Sequence, residues 1–190
     1  MVAGVYATEQ TAILLRQIGV RDSKTLSDKR IAAMSVEIRN TCPVNVVAIG
    51  PERYNALYAK IRNLNRLLAW AHARVIENLL EKVVCGRAVS DQFGDEQYLR
   101  RALMEKGKRI ELVQRHRAED DLAVGAASII ARGEFVRRLQ QLSDSVGVEL
   151  AKGAGPPVLV SAHRFVDKHG RDALGSVAKL HFKTTQQILG

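Results

Sequence analysis

The fold is decided by residues 119–132, which read EDDLAVGAASIIAR. Three adjacent acids, Glu119, Asp120 and Asp121, precede a helical pattern of small and apolar side chains that continues to Leu142. Negative charge is favoured at a helix N-terminus, but capping accounts for only one of the three acids. Small side chains also let a helix pack closely on a sheet. This stretch therefore predicts a helix that packs on a sheet. The start of the helix carries more carboxylates than capping requires.

Alternating strand and helix patterns surround this stretch, which predicts an α/β layer fold in a single domain. Apolar and β-branched runs predict strands at residues 2–8, 44–49, 87–92 and 110–114. Capping residues predict the start or end of three helices, at Thr8, Gly19, Ser27 and Asp95. After a Gly-Pro-rich loop at residues 153–157, two more helical patterns lead to the C-terminus.

One long apolar helix pattern covers residues 65–84. Its apolar positions share one broad face, and we expect Trp70 to lie in the core. The same pattern places His72, Arg74 and Glu77 away from the middle of that face.

Composition limits the class of protein. The chain has 190 residues, of which 46% are apolar and 26% charged, and this excludes disordered and collagen-like chains. Its two cysteines, Cys42 and Cys85, follow no signal-peptide pattern, so we expect reduced thiols in a cytoplasmic protein rather than a secreted disulfide scaffold. No apolar run approaches the roughly 20 residues that span a bilayer, and we expect no membrane partner.

The charge of the chain favours an anionic partner. Lys and Arg number 29 against 20 Asp and Glu, which gives a net charge of +9. Nucleic acid is the commonest such partner, and a basic surface without a partner is the alternative.

Carboxylates, rather than nucleophiles, are the candidate catalytic groups. The sequence contains no G-x-S-x-G, P-loop, H-E-x-x-H or C-x-x-C motif. Asp91 follows the apolar residues of a short predicted strand, where ligands of open α/β sheets bind, although a turn or capping role is the alternative. Two acidic positions that the fold brings together would form a hard oxygen site for Mg²⁺ or Mn²⁺.

Six ordered motifs resemble the type 2 ribonucleases H. They are GVRDSKTLS at 19–27, YN at 54–55, NLN at 63–65, DQF at 91–93, AASIIAR at 126–132 and VAKLHFKTT at 177–185. The His181-Phe182 pair resembles the ribonuclease HIII branch. The resemblance covers nearly the whole chain. It implies a ribonuclease H-like fold with a mixed central sheet flanked by helices, and endonucleolytic cleavage of the RNA strand of RNA–DNA hybrids.

The resemblance also implies site residues. Two divalent ions, Mg²⁺ or Mn²⁺, would be held by carboxylates, of which Asp91 matches the third family position and Asp121 the fourth, with Asp120 and Glu119 as alternates. Substrate contacts are expected from Ser23, Lys24, Asn63, Asn65, Lys179, His181 and Lys183. The alternatives are a solvated turn for Lys24, helix capping for Asn63 and Asn65 (favoured for Asn65), and a structural role for His181. We expect a monomer.

The chain departs from the family at one motif. The family's first strand carries an Asp-Glu pair followed by a glycine-rich turn, and no such motif precedes residues 1–7. We likewise expect that the N-terminal substrate-binding domain of the HIII branch is missing. We therefore expect a fragment or a late start codon, and a domain at 1–190 that lacks the first strand of its sheet. The alternative is a shortened, inactive protein that keeps a basic nucleic-acid-binding surface.

Overall fold

The computed structural model describes residues 1–20 and 26–189. Four strands and eight α-helices lie within these residues. The strands are β1 (Val2–Val5), β2 (Val44–Val47), β3 (Arg87–Asp91) and β4 (Glu111–Arg115). The helices are α1 (Glu9–Ile18), α2 (Asp28–Thr41), α3 (Pro51–Ile61), α4 (Leu64–Leu80), α5 (Glu96–Ala102), α6 (Leu122–Val146), α7 (Pro156–His169) and α8 (Lys183–Leu189). The predicted α/β class is confirmed.

The capping predictions are confirmed by the helix ends. Thr8 forms a capping box with Thr11 at the start of α1, and Gly19 ends that helix at φ 88° in the left-handed region. Ser27 accepts the Arg30 N–H at 3.3 Å at the start of α2, and Asp95 accepts the Gln97 N–H at 2.8 Å at the start of α5. These local signals fix where the helices begin and end.

The chain folds into two compact units. The first contains Met1–Ala48 and Asn63–Glu134, and the second contains Ile49–Arg62 and the chain from Phe135 onward. Helix α6 contributes residues to both. Within the described residues, no helix combines the length and the apolar character that crossing a membrane requires.

The first unit holds all four strands, in two separate pairs. Strand β1 pairs antiparallel with β2, and β3 pairs parallel with β4. Among the described residues no ladder joins β1 to β3. The two pairs together have the mixed strand directions that were predicted, but they do not form one continuous sheet.

Helices α1, α2 and α6 bury most of the first unit's core. Its largest cluster is apolar and almost fully buried: Val5, Leu15, Val20, Ile31, Met34, Ile38, Cys42, Ala126, Ile129 and Ile130. On α4, Val75 and Leu79 contact β1 so closely that a Cβ on Gly4 would lie 2.5 Å from Val75 Cγ1. Trp70 is 39% exposed, so the prediction of a core tryptophan is wrong.

The second unit contains α3, α7, α8 and a 3₁₀ helix, Arg171–Ser176, and it has a smaller core. Phe165, Leu174 and Ile188 form its centre. The segment between the 3₁₀ helix and α8 contains Lys179 and His181.

Candidate functional site

Asp91 is the last residue of β3, as predicted. Its side chain is exposed, and its Oδ1 accepts the Ala118 N–H at 3.2 Å. This bond ties the end of β3 to the turn that carries the acidic triplet, which lies 27 residues later in the chain. The fold thus brings the two predicted acidic elements next to each other.

The three adjacent acids occupy different environments. Asp121 caps α6, because its Oδ1 accepts the Ala123 N–H at 2.9 Å and the Val124 N–H at 3.4 Å. Asp120 ends a short 3₁₀ helix, Ala118–Asp120. The carbonyl oxygen of Glu119 lies 3.1 Å from where a Cβ on Gly125 would be, which is a tighter contact than most Cβ atoms make. Capping therefore accounts for Asp121, as expected for one of the three acids.

A groove of about 1080 Å³ runs through the first unit. Strands β1 and β3, helix α4 and the N-terminal half of α6 line it. Asp91, Asp120 and Asp121 all line this one groove, and Glu119 does not. The cations Arg16, Arg87 and Arg115 line it as well.

The backbone of β1 faces the groove with one open edge. Tyr6 donates its N–H to Pro43 O at 2.9 Å, and residues that exchange bonds in an antiparallel pair alternate. Ala3 and Val5 therefore direct their N–H and C=O groups away from β2. Both residues line the groove.

Strand β3 presents a second open edge. Gln92 donates to Arg115 O at 3.1 Å, and Glu111 donates to Gly86 O at 2.9 Å. Alternate residues of β3 consequently bond to β4, and the N–H and C=O groups of Val89 and Asp91 point the other way. The groove is thus bordered by two strand edges whose backbone groups lack a neighbouring strand among the described residues.

Helices α4 and α6 form the apolar walls of the groove. The α4 side chains are at helical spacing: Leu68, His72, Val75, Ile76 and Leu79. The α6 side chains at the wall are mostly small: Ala123, Ala127, Ser128 and Ala131. The small α6 side chains leave open space in the groove beside the strands.

His72 is a polar member of this wall, and its position was predicted to lie away from the middle of the apolar face. Its Nδ1 lies 3.3 Å from Ser90 Oγ, and its ring lies 4.8 Å from that of Phe93. Burial lowers the pKa of His72 to about 4, against a smaller opposing effect of the Asp91 charge. The imidazole is therefore neutral near pH 7. The signal in the sequence was the helical spacing of His72 with the apolar residues Leu68, Val75 and Ile76.

Glu77 is a buried polar residue of α4 that was likewise predicted to lie away from the middle of its apolar face. It is 6% exposed. Its carboxylate accepts the N–H groups of Met104, Lys106 and Gly107 at 2.8, 3.2 and 2.8 Å. Glu77 thereby fixes the turn that leads into β4.

A metal ion needs more ligands than these acids supply. No group of three or more His, Cys, Asp or Glu side chains that could hold a metal exists within residues 1–20 and 26–189. Asp91, Asp120 and Asp121 offer the oxygen ligands that Mg²⁺ and Mn²⁺ prefer, but by themselves they do not make a site.

Asn63 and Asn65 have different roles from each other. Asn63, not Asn65, caps α4, and its Oδ1 accepts the Arg66 N–H at 3.0 Å. The preference for Asn65 as the cap was therefore wrong. The Asn65 side chain lies against Gly94, where a Cβ would be 2.7 Å from Asn65 Nδ2. Asn65 thus packs beside the turn that follows Asp91.

The other predicted substrate residues are not among the described residues of the first unit. Lys179, His181 and Lys183 belong to the second unit, where Lys183 is the first residue of α8. Ser23 and Lys24 lie outside the described residues.

Comparison with known proteins identifies relatives over the whole chain. A family model described as ribonuclease HII matches residues 1–185. Ribonuclease HIII of Protochlamydia amoebophila is 44% identical over 189 residues, covering 100% of this chain and 63% of the relative. Ribonuclease HIII of Chlamydia pneumoniae is 43% identical over 190 residues, covering 98% of this chain and 64% of the relative. The chain thus spans a little under two thirds of the length of these relatives.

A solved structure shares the fold. The crystal structure of Bst-RNase HIII in complex with Mn²⁺ matches with a TM-score of 0.90 and 30% identity, covering 98% of this chain and 63% of that one. The predicted ribonuclease H-like fold is therefore confirmed.

Proposed function

Because the chain belongs to the ribonuclease HII family, we propose that it supplies most of the catalytic domain of an enzyme that cleaves the RNA strand of RNA–DNA hybrids. The observation that carries this proposal is the convergence of Asp91, Asp120 and Asp121 on one groove. The Mn²⁺ in the related crystal structure and the net charge of +9 support a metal-dependent enzyme with an anionic substrate.

The carboxylates would hold divalent ions, Mg²⁺ or Mn²⁺. Bound ions of this kind activate water and stabilise the leaving oxygen in phosphodiester hydrolysis. Asp91 is fixed for this role by its bond to the Ala118 N–H. Asp121 keeps its position because it also caps α6. The ligand set remains incomplete with these residues, as the absence of a three-ligand group in the described chain indicates.

We propose that a further strand completes the set. The groove is bordered by the open edges of β1 and β3, and an extended segment between them could bond to both. Such a strand would join the two pairs into one sheet. Strand β3 has five residues, or about 17 Å at the rise of a β-strand, which indicates the length required. The Asp-Glu pair implied by the family resemblance would then lie beside Asp91.

The test compares two versions of the chain on a labelled RNA–DNA hybrid with Mg²⁺ or Mn²⁺. One version is the sequence as it stands, and the other carries the preceding in-frame codons of its gene. We expect the extended version to cut the RNA strand and Asp91→Asn to lower its rate about 100-fold or more. Asp95→Asn is the matched control, because Asn caps a helix as well as Asp and Asp95 does not line the groove.

A different result would favour the second hypothesis, a basic nucleic-acid-binding protein without catalysis. The incomplete ligand set of the described residues favours it specifically. The catalytic proposal is wrong for this locus if both versions bind the hybrid but neither cuts it. It is also wrong if a stop codon directly precedes Met1 and no Asp-Glu-x-Gly segment is encoded.

A further inference from the structure

Helix α4 carries an exposed tryptophan between two exposed arginines. Arg66, Trp70 and Arg74 follow one another at four-residue spacing, so they form one row along a face of the helix. Both arginines are exposed, and Trp70 is 39% exposed. With a rise of about 1.5 Å per residue, neighbouring members of the row are about 6 Å apart along the helix axis. The row is separate from the candidate site, since none of its three residues lines the groove.

The two arginines of this row have no acidic partner within residues 1–20 and 26–189. Neither guanidinium forms an ion pair or a hydrogen bond with any of these residues. Glu77 is the only acid of α4, and its carboxylate already accepts backbone N–H groups of the turn after α5. On α5, by contrast, Arg100 pairs with Glu96 one turn earlier at 3.6 Å. The row on α4 therefore carries two positive charges that no described residue neutralises.

The indole of Trp70 offers a polar group as well as an apolar face. Its Nε1–H can only donate a hydrogen bond, and it donates none to the part of the chain that the structure describes. A single exposed apolar side chain is ordinary on a protein surface. Tryptophan and arginine together, however, are the residue types that contribute most to binding between proteins. The row thus has the composition of a binding surface.

The chemistry of the row indicates the kind of partner. A carboxylate accepts hydrogen bonds from a guanidinium and from an indole N–H, and an apolar side chain covers the indole face. A second copy of this chain is opposed by the net charge of +9. A base-paired nucleic acid offers phosphates and hydroxyls but keeps its bases stacked inside the duplex, so it leaves the indole face uncovered. A protein segment with acids on both sides of an apolar residue satisfies the whole row.

We propose that Arg66, Trp70 and Arg74 bind an acidic segment of a partner protein. An apolar side chain of that segment packs on the Trp70 indole, and a carboxylate on each side of it pairs with one guanidinium. The three side chains of the partner are spaced by about 6 Å, which is four residues of a helix or two residues of a strand. This surface goes beyond the proposed function and does not depend on it, because the row lies outside the groove.

Trp70 is the only tryptophan of the chain, so tryptophan fluorescence reports on this face alone. The probes are an alanine-rich helical peptide with Glu, Leu and Glu at positions i, i+4 and i+8, and an extended peptide with the same three residues at alternate positions. We expect at least one peptide to shift the Trp70 emission to shorter wavelength and to protect it from acrylamide quenching. Peptides with Gln in place of both Glu residues should bind more weakly. If neither acidic peptide binds more tightly than its Gln version, the proposal is overturned.

Variants of the full chain separate the row from the general positive charge. With the acidic peptide labelled and its anisotropy measured, Trp70→Ala should weaken binding about 10- to 30-fold. Arg66→Gln and Arg74→Gln should each weaken it about 2- to 5-fold, as for a partly exposed ion pair. Lys29→Gln is the matched control, because it removes the same charge from an exposed position of α2. If Lys29→Gln weakens binding as much as Arg74→Gln does, the peptide responds only to net charge and the row is not its site.

Two further titrations test other occupants of the row. An RNA–DNA hybrid in EDTA should leave the Trp70 emission unchanged, and a hybrid-dependent shift without a response to the acidic peptides would make the row a nucleic-acid contact instead. The version that carries the preceding in-frame codons should show the same emission as the chain by itself. A shorter wavelength in that version would mean that the same protein covers the row, which also contradicts a separate partner. Trp70→Ala should not change hybrid cleavage by that version, so this proposal and the proposed function fail independently.

Discussion

Replacing Glu77 by Gln should destabilise the first unit markedly, because this buried carboxylate accepts three backbone N–H groups. Oε1 accepts from Met104 and Gly107, both at 2.8 Å, and Oε2 accepts from Lys106 at 3.2 Å. The side chain is 6% exposed, so water replaces few of these bonds. The three donors belong to the turn between α5 and β4, and the register of β4 on β3 depends on that turn.

The magnitude follows from these bonds. A hydrogen bond to a charged group contributes about 1.5–3 kcal/mol, and an unsatisfied buried N–H costs about 1–3 kcal/mol. A Gln amide oxygen can replace Oε1 and keep two weaker bonds, but its NH₂ group then faces the Lys106 N–H. We expect a loss of about 2–3 kcal/mol in the free energy of unfolding. For a chain of this size the melting temperature should fall by about 5–10 °C.

Urea denaturation followed by circular dichroism measures this loss. Hydrogen exchange adds a local measurement, since the amides of Met104, Lys106 and Gly107 should lose protection together. Glu81→Gln is the matched control, as Glu81 is exposed at the end of the same helix and should change stability by less than about 0.5 kcal/mol. If Glu77→Gln unfolds at the same urea concentration as Glu81→Gln, the carboxylate does not hold this turn.

Two further predictions concern the walls of the groove. The pKa of His72 falls from 6.5 in the unfolded chain to about 4 in the folded one. The unfolded state therefore binds more protons between these two pH values. The free energy of unfolding should decrease by up to about 3 kcal/mol as the pH falls from 6.5 to 4. His72→Gln should flatten this part of the pH profile in urea denaturation, and an unchanged profile would show that another group causes it. Gly4→Ala should lower stability by about 1–3 kcal/mol in thermal denaturation, because its Cβ would lie 2.5 Å from Val75 Cγ1 and 2.9 Å from Leu79 Cδ1. The control is Gly86→Ala, whose Cβ meets no atom within 4 Å, and equal melting temperatures for the two variants would refute the close packing.

The sequence by itself determined the local features of the fold. Thr8, Ser27 and Asp95 cap the helices that they were predicted to begin. The strand positions followed from short apolar runs, and Asp91 was correctly placed at a strand end. These features depend on neighbouring residues within one or two turns of chain, so their signals are present in short stretches of sequence. The family resemblance likewise depends on short ordered motifs.

Only the tertiary structure decided which polar residues of α4 are buried. Helical periodicity defines faces, but a residue beside the apolar stripe can be exposed or covered, depending on what packs there. Glu77 is covered by the turn at Met104–Gly107, and His72 by β3. Trp70, expected in the core, is instead 39% exposed.

Tertiary structure also decided the groove and its acids. Asp91 and the acidic triplet are about 30 residues apart in the chain, and the pairing of β3 with β4 and the bond from the Ala118 N–H to Asp91 bring them together. The open edges of β1 and β3 arise because each strand has a single neighbour among the described residues. Strand pairing joins distant parts of the chain, and its energy depends on contacts that no local pattern encodes. The sequence therefore supplied the groups, and the fold supplied the geometry in which they can act.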